Sequence, residues 1–424
     1  MSKWKKVELK MLTVLLSNKQ VPKLKASSIY FALVIIILCS VFMTGLLQLF
    51  EFHKAIDNRL SLNNTQIRHL HEAWAVGAHS GTKFSTGKTE SVILERDTVL
   101  IASEPWGALQ LLKVEMQQSH LRKVGFLTQP NKWDSTALWV GDQNSPLAVA
   151  GNTNLVGNVV TSQKGIKRGN VGRNGFQGDQ LVDGLLTITS KQLPEIAQQI
   201  QTEATKLLSL IPVRNLEKPS QALNQTINNS FFNETKLITS DSHILISSNL
   251  NGKVLIVAPK ITVLSNSQIQ DAILVANEIN IEERSILIGQ LFALHSVTIG
   301  ADAELQFPST IIMESTDTSS LHFAPGSLLE GLVIHSTRNP LSTTEISDGA
   351  MIHGQLYSMA KTELKGTVYG NAFIQSFYLK TPSTLYRNYL FNATIDRNSR
   401  SHYINLSGLK TNLLQSRETI KWLE

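Results

Sequence analysis

Four cations and four glycines share one short stretch of this 424-residue chain: Lys164, Lys167, Arg168 and Arg173 beside Gly169, Gly172, Gly175 and Gly178. Backbone N–H groups of a glycine loop, backed by side-chain cations, can hold an anion or the polar groups of a glycan. The spacing fits neither the P-loop nor the dinucleotide-binding fingerprint, and no long helix follows directly. The expectation is a turn-rich connection, with any anion or glycan contact carried by those four cations.

Other candidate chemistry is thinner. His71-Glu72-Ala-Trp-Ala75 begins like the zinc-protease motif, whose two histidines must stand one helical turn apart, but Ala75 occupies the second position. His69, His71 and His79 therefore read as surface residues of a stalk. His295, His335 and His353 lie in or beside apolar runs; in an acyl-transfer reading one would act as general base, and nothing nearby singles one out. Glycan hydrolysis needs clustered carboxylates, and between Val254 and Ile281 only Asp271 and Glu278 occur. The residues predict no catalytic set, no metal and no cofactor.

The elements that position these residues begin with an apolar run. Residues 26–50 include Ile29 to Phe50 without a charge, long enough as a helix to cross a bilayer core of about 30 Å. The run exceeds a signal h-region and is followed by charge rather than a small-residue cleavage site. Lys3, Lys5, Lys6, Lys10, Lys19, Lys23 and Lys25 precede it against one acid, Glu8, which predicts an N-terminus inside and the remainder outside. That basic tail, residues 1–25, also faces anionic lipid.

The tail accounts for the whole net charge. The chain has 39 Lys+Arg and 33 Asp+Glu, so removing seven lysines and one glutamate leaves the rest balanced. A nucleic-acid-binding domain would keep its excess of cations, so that class is disfavoured. The single cysteine, Cys39, lies inside the span, and the exported part must fold without disulfides.

Residues 51–136 read as a helical stalk, with a break at Asn63-Asn64, followed by a small antiparallel meander through Ser91, Thr98 and Ala108. A β-rich region covers 137–190. Residues 191–235 contain a helix from Leu193 to Ile211, capped by Ser190, and then a linker rich in Asn and Ser.

Between Val254 and Ile311 the sequence repeats. Every sixth residue from Val257 through Val263, Ile269, Val275 and onward to Ile311 is apolar, in a chain that is 42% hydrophobic. Ile261-Thr-Val263, Ile279-Asn-Ile281 and Val297-Thr-Ile299 recur eighteen residues apart, with small Ser267, Ser285 and Ala303 at one phase. Each apolar-polar-apolar triplet is a strand with one buried face. Three such sides close a coil, and coils stack by parallel pairing into a solenoid. The fold class is mainly β: an N-terminal transmembrane helix, a small antiparallel region, then a three-sided parallel β-helix over 236–377. An aromatic segment, 378–424, is expected to cap the last coil.

An uninterrupted coil of this period resembles the bactofilins, bacterial proteins that polymerise end to end into membrane-associated scaffolds. The likeness covers Ile244 to Ile312 and rests on periodicity; the membrane span, the segment from Glu51 to Asn233 and the tail depart from it. Hexapeptide acyltransferases share the period. Minor pilins and pseudopilins are similar in having an apolar N-terminal helix, a stalk and antiparallel strands, but no Gly followed by Phe-Thr-Leu-Ile-Glu precedes the helix here.

These features predict a non-enzymatic, single-pass protein of the bacterial inner membrane with its C-terminal domain in the periplasm. Its partners would be the lipid bilayer, copies of itself or other envelope proteins. The rival is an enzyme or carbohydrate-binding protein acting on cell-surface polymer, or a pseudopilin-like component of a secretion or pilus system.

Overall fold

The structure, a computed structural model, describes residues 26–79, 89–95, 97–129, 133–141, 143–189, 192–213, 218–265, 267–410 and 417–423. The seven N-terminal lysines, Lys3 to Lys25, and the proposed cap Ser190 lie outside the described residues. Two compact units are distinguished, Met1–Ile67 and Arg68–Glu424.

The first unit is helical. Helix α1 (Ala26–Ala78) begins in it, and its most apolar window has a mean hydropathy of 2.6 with none of that window buried. Ser40 and Thr44 donate their hydroxyls to the carbonyls of Ile37 and Ser40 at 2.8 and 2.7 Å, so neither needs a partner outside the helix. A long apolar helix of this kind suits a membrane anchor or a signal sequence. The expected break at Asn63-Asn64 is absent: two Asn cost only about 1 kcal/mol of helix propensity together, which the intact turns on either side absorb.

In the second unit the last turns of α1 lie on an antiparallel sheet of β1 (Thr89–Leu94), β2 (Asp97–Trp106), β3 (Leu109–Met116) and β4 (Arg122–Thr128), with Glu418–Trp422 added beside β4. Alternation along the strands splits their side chains between two cores. Ile101, Leu112 and Val114 pack on Leu70, Ala73 and Trp74 of α1, whereas Leu109, Leu111, Val124 and Phe126 pack on the solenoid. His69 is not a surface residue. It is buried in this helix–sheet seam, with Nδ1 2.7 Å from the Asp97 carboxylate.

The remainder is a parallel β-solenoid of about 12 turns within residues 136–374, with turns of about 20 residues. Ile261, Ile279 and Val297 stack at the spacing read from the sequence. Ile311, Val333 and Leu356 stack at a wider one, because loops at the corners lengthen the later coils. Ser267, Ser285 and Ala303 are buried at one corner, each with its amide hydrogen-bonded to the carbonyl three residues earlier.

The chain order of the coils differs from their spatial order. The lowest coil is built by Gln221–Leu223, Ile227–Asn229 and Lys236–Thr239, and the chain climbs from there to Thr367–Lys380. Above that strand sits Thr136–Val140, followed by Asn158–Thr161 and then Leu186–Ile188. The β-rich region 137–190 is thus the upper end of the same solenoid, and the stretch expected as a linker supplies its lowest coil. Nor does the C-terminal aromatic segment cap the stack: Thr394–Asp396 is sandwiched between Thr367–Tyr369 and Asn154–Val156, and Tyr389–Phe391 pairs with Leu147–Ala150.

Helix α2 (Gln198–Leu208), shorter than expected and preceded by Ala197, which makes no side-chain cap, buries Ile200, Ala204, Leu207 and Leu208 against one solenoid face. Three buried amides on that face fasten what covers it. Gln290 holds the β2–β3 turn, the Gln355 Oε1 accepts from the Gly408 amide at 2.8 Å, and the Asn371 Nδ2 donates to the carbonyl oxygens of Trp133 and Thr136. A further tie is ionic: Lys421 in the final strand reaches both carboxylate oxygens of buried Asp271 at 2.7 and 2.8 Å.

Candidate functional site

Of the four cations read from the sequence, Lys167 and Arg168 lie on an edge strand at the upper end of the solenoid, Lys164 precedes that strand and Arg173 stands in the hairpin that follows it. Ile166–Arg168 is an edge strand on Leu147–Val149, and Asn170–Val171 turns back on Asn174–Gly175 through Gly172, which has φ +61°. Arg168 Nη2 donates to the main-chain carbonyl of Asp179 at 2.9 Å, and its guanidinium lies 5.6 Å from the Phe176 ring centre. Lys164, Lys167 and Arg173 are exposed and make no ion pair among the described residues. The glycine amides are not all free to hold an anion: that of Gly169 is spent on the Val149 carbonyl, as is that of the preceding Gly165 on the Ser162 carbonyl. A rim of cations remains, without an enclosed anion site.

Inside that rim the solenoid ends on an open strand. Leu186–Ile188 pairs only with Asn158–Thr161, leaving its other edge unbonded among the described residues. Leu185, Leu186 and Ile188 are 71, 47 and 55% exposed. The opposite end has the same character. Among the described residues Lys236–Thr239 pairs only with Val254–Val257, and Leu237 is 53% exposed. Both strands are terminal members of one parallel sheet. Leu186 stands over interior Val159, and Ile238 stands under interior Ile256, so the two ends carry the same inward column.

The histidines do not converge. His335, a proposed general base, is fully buried inside the solenoid, with Nε2 2.8 Å from the Ser319 hydroxyl and Nδ1 2.8 Å from that of Thr344. Burial pushes its imidazole down to about 4. Ser342, Ser358 and Thr362 continue this hydroxyl network, and no substrate can reach it. His295 is partly exposed near Asp317, at 3.9 Å. His353 meets the Tyr369 ring edge-on at 4.9 Å between centroids; burial lowers its pKa, opposed by Glu330. No group of three His, Cys, Asp or Glu able to hold a metal occurs among the described residues.

A feature not anticipated from the sequence is a groove of about 1220 Å³ between α2 with its preceding segment and a corner of the solenoid. Leu294, Glu314, Ser336, Met359 and Gln375 line one wall, one on each of five successive coils, directly after the stacked positions Ala293, Met313, His335, Ser358 and Ile374. Gln192, Gln198 and Gln201 line the other wall. Tyr357 forms part of the floor, and burial pushes its phenol up to about 12, so it stays neutral. The groove depends on pairing across long sequence separations, which explains its invisibility in one sequence.

Compared with family models, with curated proteins and with solved structures, the chain matches none.

Proposed function

We propose that this protein is a non-enzymatic scaffold of the bacterial cell envelope, anchored in the inner membrane by α1 with its N-terminus cytoplasmic and its solenoid periplasmic, whose copies add to one another end to end. The observation that carries this reading is the pair of open edges, Leu186–Ile188 and Lys236–Thr239, at opposite ends of one parallel sheet. An exposed apolar strand edge is a template for another strand, and soluble proteins ordinarily cover or charge it. Here a second copy satisfies it in register: the interior column that reaches Val159 and Leu186 continues into Ile238 and Ile256 of the next copy. Because the two surfaces differ, the contact is head to tail and does not close on itself, which suits a filament or patch under a membrane constraint. The bactofilin-like period supports the same mode of assembly.

A photo-crosslinking amino acid at position 186 of the full-length protein in membranes tests the contact. The reading requires a cross-linked dimer whose partner peptide includes residues 236–239. Cross-links confined to an unrelated protein, or none, would count against it.

A further inference from the structure

We propose that the groove between α2 and the solenoid corner binds a single extended strand of uncharged polysaccharide. This proposal is independent of end-to-end assembly, since the groove lies along the side of the coil stack.

Five consecutive coils each present one side chain to the same wall, so the groove is straight and runs roughly 20 Å at the ~4.8 Å spacing between strands. A linear polymer of repeating units fits such a surface better than a compact metabolite does. The lining also has unspent hydrogen-bonding capacity. The side-chain amides of Gln192, Gln198, Gln201 and Gln375 and the guanidinium of Arg338 all line the groove, and none has a side-chain hydrogen bond among the described residues. An amide offers a donor and an acceptor side by side, the pattern that a pair of sugar hydroxyls completes. Met359 and Leu294 add apolar surface for the C–H face of a sugar ring.

Charge and backbone exclude the other polymers. Arg338 and Lys410 are balanced by Glu195 and Glu314, with Lys410 paired to Glu195 at 2.7 Å, so the lining has no excess of cations for a polyanion or nucleic acid. An extended peptide binds by adding to a free strand edge, but the rungs at this corner are bonded to coils above and below. Side chains, not backbone, face the occupant.

The test uses the full-length protein in nanodiscs, with cellohexaose and chitohexaose as neutral probes, an oligogalacturonate as anionic probe and an unstructured Gly/Ser peptide as control, followed by calorimetry or ligand-observed NMR. At least one neutral hexasaccharide should bind, and Arg338→Ala combined with Gln201→Ala, both at exposed positions, should weaken it about tenfold or more, as expected for lost groove hydrogen bonds. Ser336→Trp, which fills the groove, should abolish binding while the melting temperature of the first variant stays at the parent value. Binding of the anionic probe or the peptide alone, neutral binding that survives both variants, or no binding by any probe would each overturn the proposal.

Discussion

The buried side chain of Gln290 holds the backbone of Ala108: the Ala108 amide donates to Gln290 Oε1 at 2.7 Å, while Gln290 Nε2 donates to the neighbouring Trp106 carbonyl, also at 2.7 Å. One amide thus satisfies two main-chain groups of the β2–β3 turn that burial against the solenoid has removed from water. Gly107 between them has φ +61° and lies so close to Gln290 that a β-carbon there would overlap the amide.

Gln290→Leu should therefore destabilise the second unit by about 2–4 kcal/mol, the cost of leaving a buried donor and acceptor unpaired. Denaturant unfolding of the variant measures this. A change within experimental error would mean that water replaces the amide and the turn is held by packing alone.

His335 makes stability depend on pH. Its ring titrates at about 4 when buried, against 6.5 when exposed. Between those values the unfolded chain binds more protons than the folded one, so stability falls as pH falls. The contribution is fully present above about pH 6.5 and lost progressively down to about pH 4, amounting to something on the order of 3 kcal/mol. His335→Gln, which keeps a donor and an acceptor for Ser319 and Thr344, should flatten that slope. Parallel pH profiles of the urea midpoint for the two proteins would place the dependence elsewhere.

The apolar helix carries a prediction about topology. A reporter active only in the cytoplasm should work when fused before Met1 and fail when fused after Glu424, and replacing the seven lysines with glutamine should mix the two orientations. Activity of the reporter at both ends of the unaltered protein would contradict a single span. Loss of the protein from the membrane fraction on deletion of residues 29–50 is expected in addition.

Legibility in the sequence follows locality. The stacked triplets at Ile261, Ile279 and Val297 are visible because uniform turns keep phase, and phase is a property of neighbouring residues. Coils above Ile311 lose it as soon as a corner loop lengthens. The placement of Thr136–Val140 on top of Ala372–Ile374 has no local signature, since it joins segments more than half the chain apart. The clamping amides left a trace: Gly289-Gln290, Gly354-Gln355 and Gly370-Asn371 each put an amide after a glycine and before an apolar run. Gly354 and Gly370, at φ +136° and +146°, permit the close stacking of backbone that brings those amides to the covered face. At the upper rim, the charges of Lys164 and Arg173 were legible, but the spent amide of Gly169 was not, because its partner Val149 is fixed only by the coil.

Mass photometry of the full-length protein in detergent tests end-to-end assembly most directly. Head-to-tail pairing of the open edges should give a concentration-dependent ladder of multiples of the protomer, collapsing to the protomer when Leu186→Lys and Ile188→Pro are introduced together, since charge and a missing N–H both block a strand edge. A protomer mass at every concentration, or a ladder unchanged by those two substitutions, would contradict it.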